Sequence, residues 1–538
     1  MNPILIRANL KGGSQLKLSV VLQVAVVAVI ASAARFPDCA SYPAVHNEPR
    51  SYQPPDHLID PSSSKNREQA VFWTALWPQV LADPKEPQNW ADTRSSGSLD
   101  IYDKNPYYWQ FHGRPVLLLG GSSAPQAREN DEGMFHWPNL NETLDKLVAA
   151  GGNYVRCLMS GQIGEQPVWP FMKIGDRYDL DKWNEDYWRR FETFLRETES
   201  RGIVSDIEVW ATFDYYREPW KKNPFNPVNN VNYTAQETAL PTVVDSHPAK
   251  AENDFFRTIP EERNVPAVLK YQQRFVDKIL SYTLKYDHLL YCIDNETMVT
   301  PKWGAYWARY LQSAAAEAGK RIHITEMWDP HDLRDPRHQN TISHPELYSY
   351  VEIAQNNHQT GQLHYDRILE VREQIAAAPR PLNNVKIYGI DGGRFGTTQD
   401  AFERFWRNIF AGSASARFHE KHLGHSEPAL RMIRSARDVI GAFDLFRCQP
   451  HNDLLSDREP NTAYCLAWPG RTYVVYFPAQ KNVRLNLRDS EGEMTLRWYN
   501  IDVGQWRDSE RVEAGKSIAL NVPSSGQLVA LLQASALE

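Results

Sequence analysis

Cysteine is scarce in this 538-residue chain: Cys39, Cys157, Cys292, Cys448 and Cys465, with no CxxC pair among them. That excludes a thiolate zinc module and a disulfide-dense scaffold. Basic charge is not in excess either, with 59 Lys+Arg against 66 Asp+Glu and a formal net charge of −7. Nucleic-acid binding needs a basic footprint, so that partner class is set aside. Beyond the N-terminus no apolar run is long enough to span a bilayer. The chain carries no G-x-G-x-x-G, no P-loop and no G-x-S-x-G, which removes the commonest dinucleotide, nucleotide and serine-hydrolase signatures.

What is abundant is aromatic: 17 Trp, 25 Tyr and 20 Phe. Such side chains fill cores and also face sugar rings. At the N-terminus, Arg7, Lys11 and Lys17 precede the apolar run Leu18 to Ile30, and Ala31-Ser32-Ala33 follows. A basic segment, an apolar segment and a small-residue cleavage site form a secretory signal, so residues 1–34 are expected to be removed on export to the periplasm or the exterior. Residues 35–98 read as a Pro- and Ser-rich lead-in with a short helix, EQAVFWTALWPQV.

From residue 99 to 446 short apolar runs alternate with longer amphipathic ones. The runs are PVLLLGG, NYVRCLM, VSDIEVWATF, LLYCIDNE, IHITEM, YVEIAQN, VKIYGID (385–391) and ASARFH. Stretches such as YWRRFETFLRETESRG and WGAYWARYLQSAAAEAG lie between them, several ending in Gly as helices do. Continuously apolar strands alternating with helices imply a parallel sheet covered on both faces. Eight such units predict an α/β fold of the (β/α)8 TIM-barrel type. YYWQF-HG-RPVLLL reads as an entry hairpin. Residues 447–538 change to short strands separated by turns, an antiparallel β-sandwich. Cys157 and Cys292 sit in apolar strands as free thiols, while Cys448 and Cys465 could bridge within the sandwich if the compartment is oxidising.

Catalytic groups of such barrels lie at the C-terminal ends of the strands. Those ends bring Gly121 and Ser122, Arg156, Asp214, Asn295 and Glu296, Glu326 and Trp328, Asn356 and Asn357, Asp391, and His419. YCIDNET (291–297) is the strongest signal. A carboxylic acid there can protonate a glycosidic oxygen, and the neighbouring amide can hold a sugar hydroxyl. Helix capping is the competing use of such an acid. The loops 160–187 and 214–265 are long and aromatic, as functional loops often are. Trp328, and on these loops Trp169 and Trp220, are candidate sugar platforms. His419, His422 and His425 have metal-like spacing, but GGSSAP supplies no His-x-His at strand one, so neither a catalytic metal nor any cofactor is expected.

Asn-Glu at strand four with a carboxylate at strand seven resembles the large clan of retaining (β/α)8 glycosidases. Within it, NPYYWQFHGRPVLLLGG (105–121) is similar to the entry motif of the apiosidase-like glycosidases, and residues 473–506 resemble the C-terminal sandwich those proteins carry, often described as collagen-binding. The resemblance covers about residues 100–535. It implies a carbohydrate substrate, with Glu296 as acid/base. The clan mostly has Glu at strand seven, whereas this chain has Asp391, expected as the nucleophile with Glu326 and Asp214 as its rivals. Asn295, Arg156, Asp214, Glu326, Trp328, Asn356 and His419 are the expected substrate contacts, Arg156 through a fork suited to a carboxylate or sulfate. A non-catalytic carbohydrate-binding protein and a polysaccharide lyase remain alternatives.

Overall fold

The computed structural model describes residues 97–121, 133–161, 167–389, 394–419 and 426–534. All of them fall within one compact unit, Lys85–Glu538. The signal segment, the lead-in helix, Ser122, Asp391, His422 and His425 lie outside the described residues. Among the described residues no helix is long and apolar enough to cross a membrane.

The entry hairpin forms as the sequence suggests. Trp109–Phe111 pairs with Arg114–Val116, and the two turn residues, His112 and Gly113, both have positive φ (52° and 72°). A two-residue hairpin of this kind needs that backbone, and Gly113 takes it at no steric cost. The ring of Trp109 packs edge-on to Tyr350 and His323, and its Nε1 donates to Asn383 Oδ1 at 3.0 Å.

Eight parallel segments follow: β1 Leu118–Gly121, β2 Tyr154–Leu158, β3 Val204–Trp210, β4 Leu289–Asp294, β5 His323–Thr325, β6 Val351–Glu352, β7 Leu382–Asn383 and β8 Ser415–Phe418. Six form one sheet in the order β5-β4-β3-β2-β1-β8, and β6 pairs with β7. Ser349 N donates to Ile324 O (3.0 Å) and Ala414 N to Leu382 O (2.8 Å), which ties the β6–β7 pair to both edges of the six-stranded sheet. Every residue of β2, β3 and β4 is buried, the mark of strands covered on both faces.

The cover consists of helices α1 Leu140–Ala149, α2 Glu185–Glu199, α3 Pro266–Thr283, α4 Pro301–Glu317, α5 Gly361–Gln374, α6 Thr398–Phe410 and α7 Glu427–Ile440. Proline opens α3 and α4, where its missing N–H costs nothing. A reciprocal Thr397–Asp400 capping box opens α6.

The seventh strand differs from its expected position. The sequence suggests 385–391, but the ladder begins at Leu382, because Val351 and Glu352 pair with Leu382 and Asn383. The chain stays in register with β8 through an isolated bridge from Ile387 to Phe418.

After residue 447 the chain is antiparallel. We label β9 Tyr464–Trp468, β10 Thr472–Phe477, β11 Val483–Asn486, β12 Glu493–Asn500, β13 Ser517–Leu520 and β14 Leu528–Ala534. β9, β10, β14 and β12 form the body of the larger sheet, and β11 and β13 belong to a three-stranded one. Alternation along β9 separates two cores. Cys465 and Ala467 pack with Leu485 and Leu520 of the smaller sheet, whereas Tyr464 and Leu466 join the core of the α/β region. That second face is covered by helices: Tyr476 stacks on Trp406 at 5.7 Å, and Tyr499 OH donates to Asp438 Oδ2 at 2.7 Å.

The two cysteines of this region are not bridged. Cys448 belongs to the α/β core and Cys465 to the C-terminal core; both are free thiols, so the bridge considered from the sequence is not formed. Cys157 and Cys292 are buried free thiols, as expected.

Candidate active site

A cavity of about 380 Å³ opens where the parallel strands end. Leu158 closes β2, Ala211 follows β3, Asn295 and Glu296 follow β4, Asp329 follows β5, Ala354 follows β6 and Lys386 follows β7, and all of them line it. Its volume falls at the lower end of small-molecule sites.

Glu296 sits in the left-handed region, with φ of 56°. A non-glycine residue pays for that conformation, and such strain collects at functional positions. The distortion turns its side chain toward β7. There Lys386, whose side chain is 3% exposed, places Nζ against Glu296 Oε1 and 2.6 Å from Asn295 Oδ1.

Asn295 is held from below as well. Arg156 donates from Nη2 to Asn295 Oδ1 at 2.8 Å, while its Nε and Nη2 grip Glu208, the latter at 2.7 Å. Arg156 is therefore an interior brace beneath the cavity rather than a wall of it, and the expected substrate carboxylate or sulfate has Glu208 in its place. Asn295 does line the cavity, but its amide oxygen is occupied by these two cations.

Asp329 emerges as an acid the sequence reading passed over. Thr297 N donates to Met327 O (2.8 Å) and Asp329 N to Thr297 O (2.9 Å). This short ladder brings the loop after β5 alongside the residue following Glu296. Burial, and then the charge of Glu296, push the Asp329 carboxyl above the ordinary aspartate range.

Asp214 lines the cavity from the β3 loop and accepts from Ser160 Oγ (2.9 Å) and Gly161 N (3.1 Å). The loop that carries it is tied to itself by asparagine side chains. Asn223 Nδ2 donates to Asp214 O at 3.0 Å, and Asn253 Nδ2 to Tyr215 O at 2.6 Å. Buried amides thus replace missing backbone partners. His247 reaches the cavity from the same loop.

Opposite lie His331 and His358, their rings parallel and 3.3 Å apart. Burial, then the neighbouring His331 and Arg394, push the His358 imidazole down to about 4, which keeps it neutral. Phe213, Tyr388 and Phe395 supply aromatic surface, with Tyr388 stacked on Phe395 at 4.4 Å.

Several expected contacts are placed elsewhere. Glu326 is fully buried toward the helices, where Tyr348 OH donates to its Oε2 at 2.9 Å. It cannot rival a cavity carboxylate. Trp328 is 1% exposed with Nε1 on Thr341 Oγ1, so it is core and no sugar platform. Trp169 and Trp220 are buried as well. Asn356 is buried and donates to His364 O, while its neighbours Asn357 and His358 face the cavity. His419 packs edge-on to Tyr388 and is not among the described residues that line the cavity. Asp391 lies outside the described residues.

Sequence comparisons return little: no family profile matches the chain, and no characterised protein matches it. Solved structures do match. One is a glycoside hydrolase family 5 protein from Bacteroides vulgatus ATCC 8482, with TM-score 0.55 and 14% identity over 82% of this chain and 94% of that one. Another is described as a glycoside hydrolase, with TM-score 0.56 and 11% identity over 82% of this chain and 98% of that one. At such identity the likeness establishes a shared fold, and this chain has the parallel α/β fold seen in these glycoside hydrolases.

Proposed function

We propose that the chain is an exported glycoside hydrolase acting on a poly- or oligosaccharide, with Glu296 as its essential carboxylate. One observation carries this reading: Glu296, in a strained backbone conformation, lines a cavity at the ends of the parallel strands. Enzymes of this architecture keep their chemistry at that end. The aromatic faces of Phe213, Tyr388 and Phe395 beside acids and imidazoles suit a ligand with apolar ring faces and hydroxyl edges. The hydrogen bonds that tie β6–β7 to both edges of the six-stranded sheet support closure into a (β/α)8 barrel. Export rests on the N-terminal sequence alone, and sequencing the N-terminus of the mature protein tests it.

Incubating the full-length protein with a panel of oligosaccharides and aryl glycosides tests the activity. Turnover of at least one is expected, and Glu296→Gln should reduce it by roughly 10³-fold or more, the scale of an essential catalytic group. Unchanged turnover in that variant sinks the assignment. The contact between Lys386 and Glu296 favours a second reading, glycan binding without cleavage. Calorimetric binding with no product from any substrate would select it.

A further inference from the structure

Strand β6 runs into a short 3-10 helix, Ala354–His358. Its start is fixed by Glu352, whose Oε1 accepts from Ala354 N at 2.8 Å, and Asn356 N donates to Ile353 O at 3.0 Å. Three carboxamides follow one another in this helix, and two of them serve the fold. Asn356 Nδ2 donates to His364 O at 2.8 Å, and Asn357 Nδ2 donates to Ala354 O. Gln355 differs. It is only 5% exposed and lines the cavity, yet among the described residues its carboxamide has no hydrogen-bond partner. The amide oxygens of Asn356 and Asn357 are enclosed by protein, whereas the polar atoms of Gln355 remain accessible. Polar side chains this buried are nearly always paired within the protein. An unpaired one that opens on a cavity is placed to pair with what the cavity holds.

Side chains three apart in a 3-10 helix eclipse one another, so Gln355 and His358 share one helix face, and both line the cavity. The ring of His358 lies 4.8 Å from that of Phe395, which stacks on Tyr388 at 4.4 Å. The free amide thus stands on the helix face that adjoins the aromatic wall. A carboxamide carries a donor and an acceptor side by side and bears no charge. Two neighbouring hydroxyls of a sugar ring match it, one accepting from its N–H and the other donating to its carbonyl oxygen.

We infer that Gln355 determines the specificity of the site, its carboxamide binding two adjacent hydroxyls of an uncharged glycone. This rests on the hydrolase reading and names the sugar feature that the site selects. The hydroxyl contact expected of Asn356 from the sequence falls one residue earlier, because Asn356 turns its amide to His364 O. A site built around such an amide rejects sugars that lack the matching hydroxyls, since the amide is then buried with nothing to bond.

The test uses the full-length protein and a panel of 4-nitrophenyl glycosides of neutral hexoses, pentoses and hexuronic acids, followed by turnover and by calorimetric binding. The monodeoxy analogues of the best of them come next. Gln355→Met keeps the length of the side chain and removes both polar atoms. No hydrogen bond of the fold is lost, so its melting temperature should be no lower than that of wild type. Its kcat/KM should fall about 10–100-fold, the scale of two neutral hydrogen bonds, with the change in KM rather than kcat. In wild type, deleting either of two adjacent hydroxyls should cost about threefold to tenfold. In Gln355→Met the same two deletions should cost nothing further, while deletions elsewhere on the ring cost the same in both proteins. Such non-additivity marks direct contact.

A lower melting temperature in Gln355→Met with kcat/KM unchanged assigns the amide to the fold and overturns the inference while leaving the hydrolase reading intact. Losses that add at every ring position, or a hexuronide as the preferred glycoside, do the same. A wild-type protein that binds these glycosides without cleaving them overturns the hydrolase reading alone, and the same comparison is then made on the dissociation constants. One that neither binds nor cleaves any of them overturns both.

Discussion

Gly304, within the first turns of α4, gives Glu326 the space it occupies: a Cβ on Gly304 would fall 2.0 Å from Glu326 Oε2. The carboxyl of Glu326 lies against Asp294 and accepts from Tyr348. It therefore has nowhere to retreat without breaking a buried hydrogen bond. Gly304→Ala gains about 1 kcal/mol of helix propensity but overpacks this contact at a cost of about 1–3 kcal/mol or more. The variant is expected to be less stable than wild type in urea unfolding. A more stable variant would show that the side chain moves freely.

Buried carboxyls also set the pH dependence of stability. Burial pushes Asp206 up to about 7 and Glu326 up to about 8. Groups whose folded pKa is raised bind protons more tightly in the native state. Their stabilising contribution is present below the unfolded value, near 4, and is lost as pH rises through the folded values. The melting temperature should therefore fall between pH 7 and pH 9, above the range in which the buried histidines, whose pKa burial lowers, act in the opposite direction. Asp206→Asn should flatten that fall, although it disturbs the hydrogen bonds from Tyr154 and Tyr350. A melting temperature that rises over this range would contradict the assignment.

Trp328 separates packing from substrate contact. Its Nε1 donates to Thr341 at 2.8 Å in a dry setting. Trp328→Phe leaves that hydroxyl without its donor and should cost about 1–3 kcal/mol. The KM for any cleaved glycoside should stay within about twofold, since the ring touches no ligand space. A large rise in KM at unchanged stability would restore the platform role.

The C-terminal sheet is bound to the α/β region by aromatic rings, with Tyr476 against both Trp406 and Phe410. Tyr476→Ala should cost about 3–5 kcal/mol, the range for removing a buried aromatic. Loss of stability should appear in both regions as one unfolding transition. Two separate transitions in calorimetry would mean that they unfold independently.

Cys448 and Cys465 face different cores, and burial raises both thiols above their ordinary range. They should resist alkylation until the protein unfolds. The melting temperature should be the same with and without reductant. A drop on reduction would reveal a bridge.

Local pattern made much of this protein legible. The apolar runs and their helical partners are readable because side-chain period follows from backbone geometry. An apolar strand that ends at Asp294 must deliver Asn295 and Glu296 to the rim whatever else the chain does. The hairpin at His112-Gly113 is a matter of turn chemistry alone. The partners of Glu296 were not legible in the same way. The start of β7 is set by its pairing with β6 and β8, segments distant in sequence, and that register puts Lys386 on Glu296. Alternation around β5 then sends Glu326 and Trp328 into the core while Asp329 reaches the rim, a choice fixed by the backbone bonds between Thr297, Met327 and Asp329. The sequence determined which strand ends carry acids. Only the tertiary structure decided which of those acids share a cavity, because side-chain direction at the rim depends on long-range hydrogen bonding that no local pattern encodes.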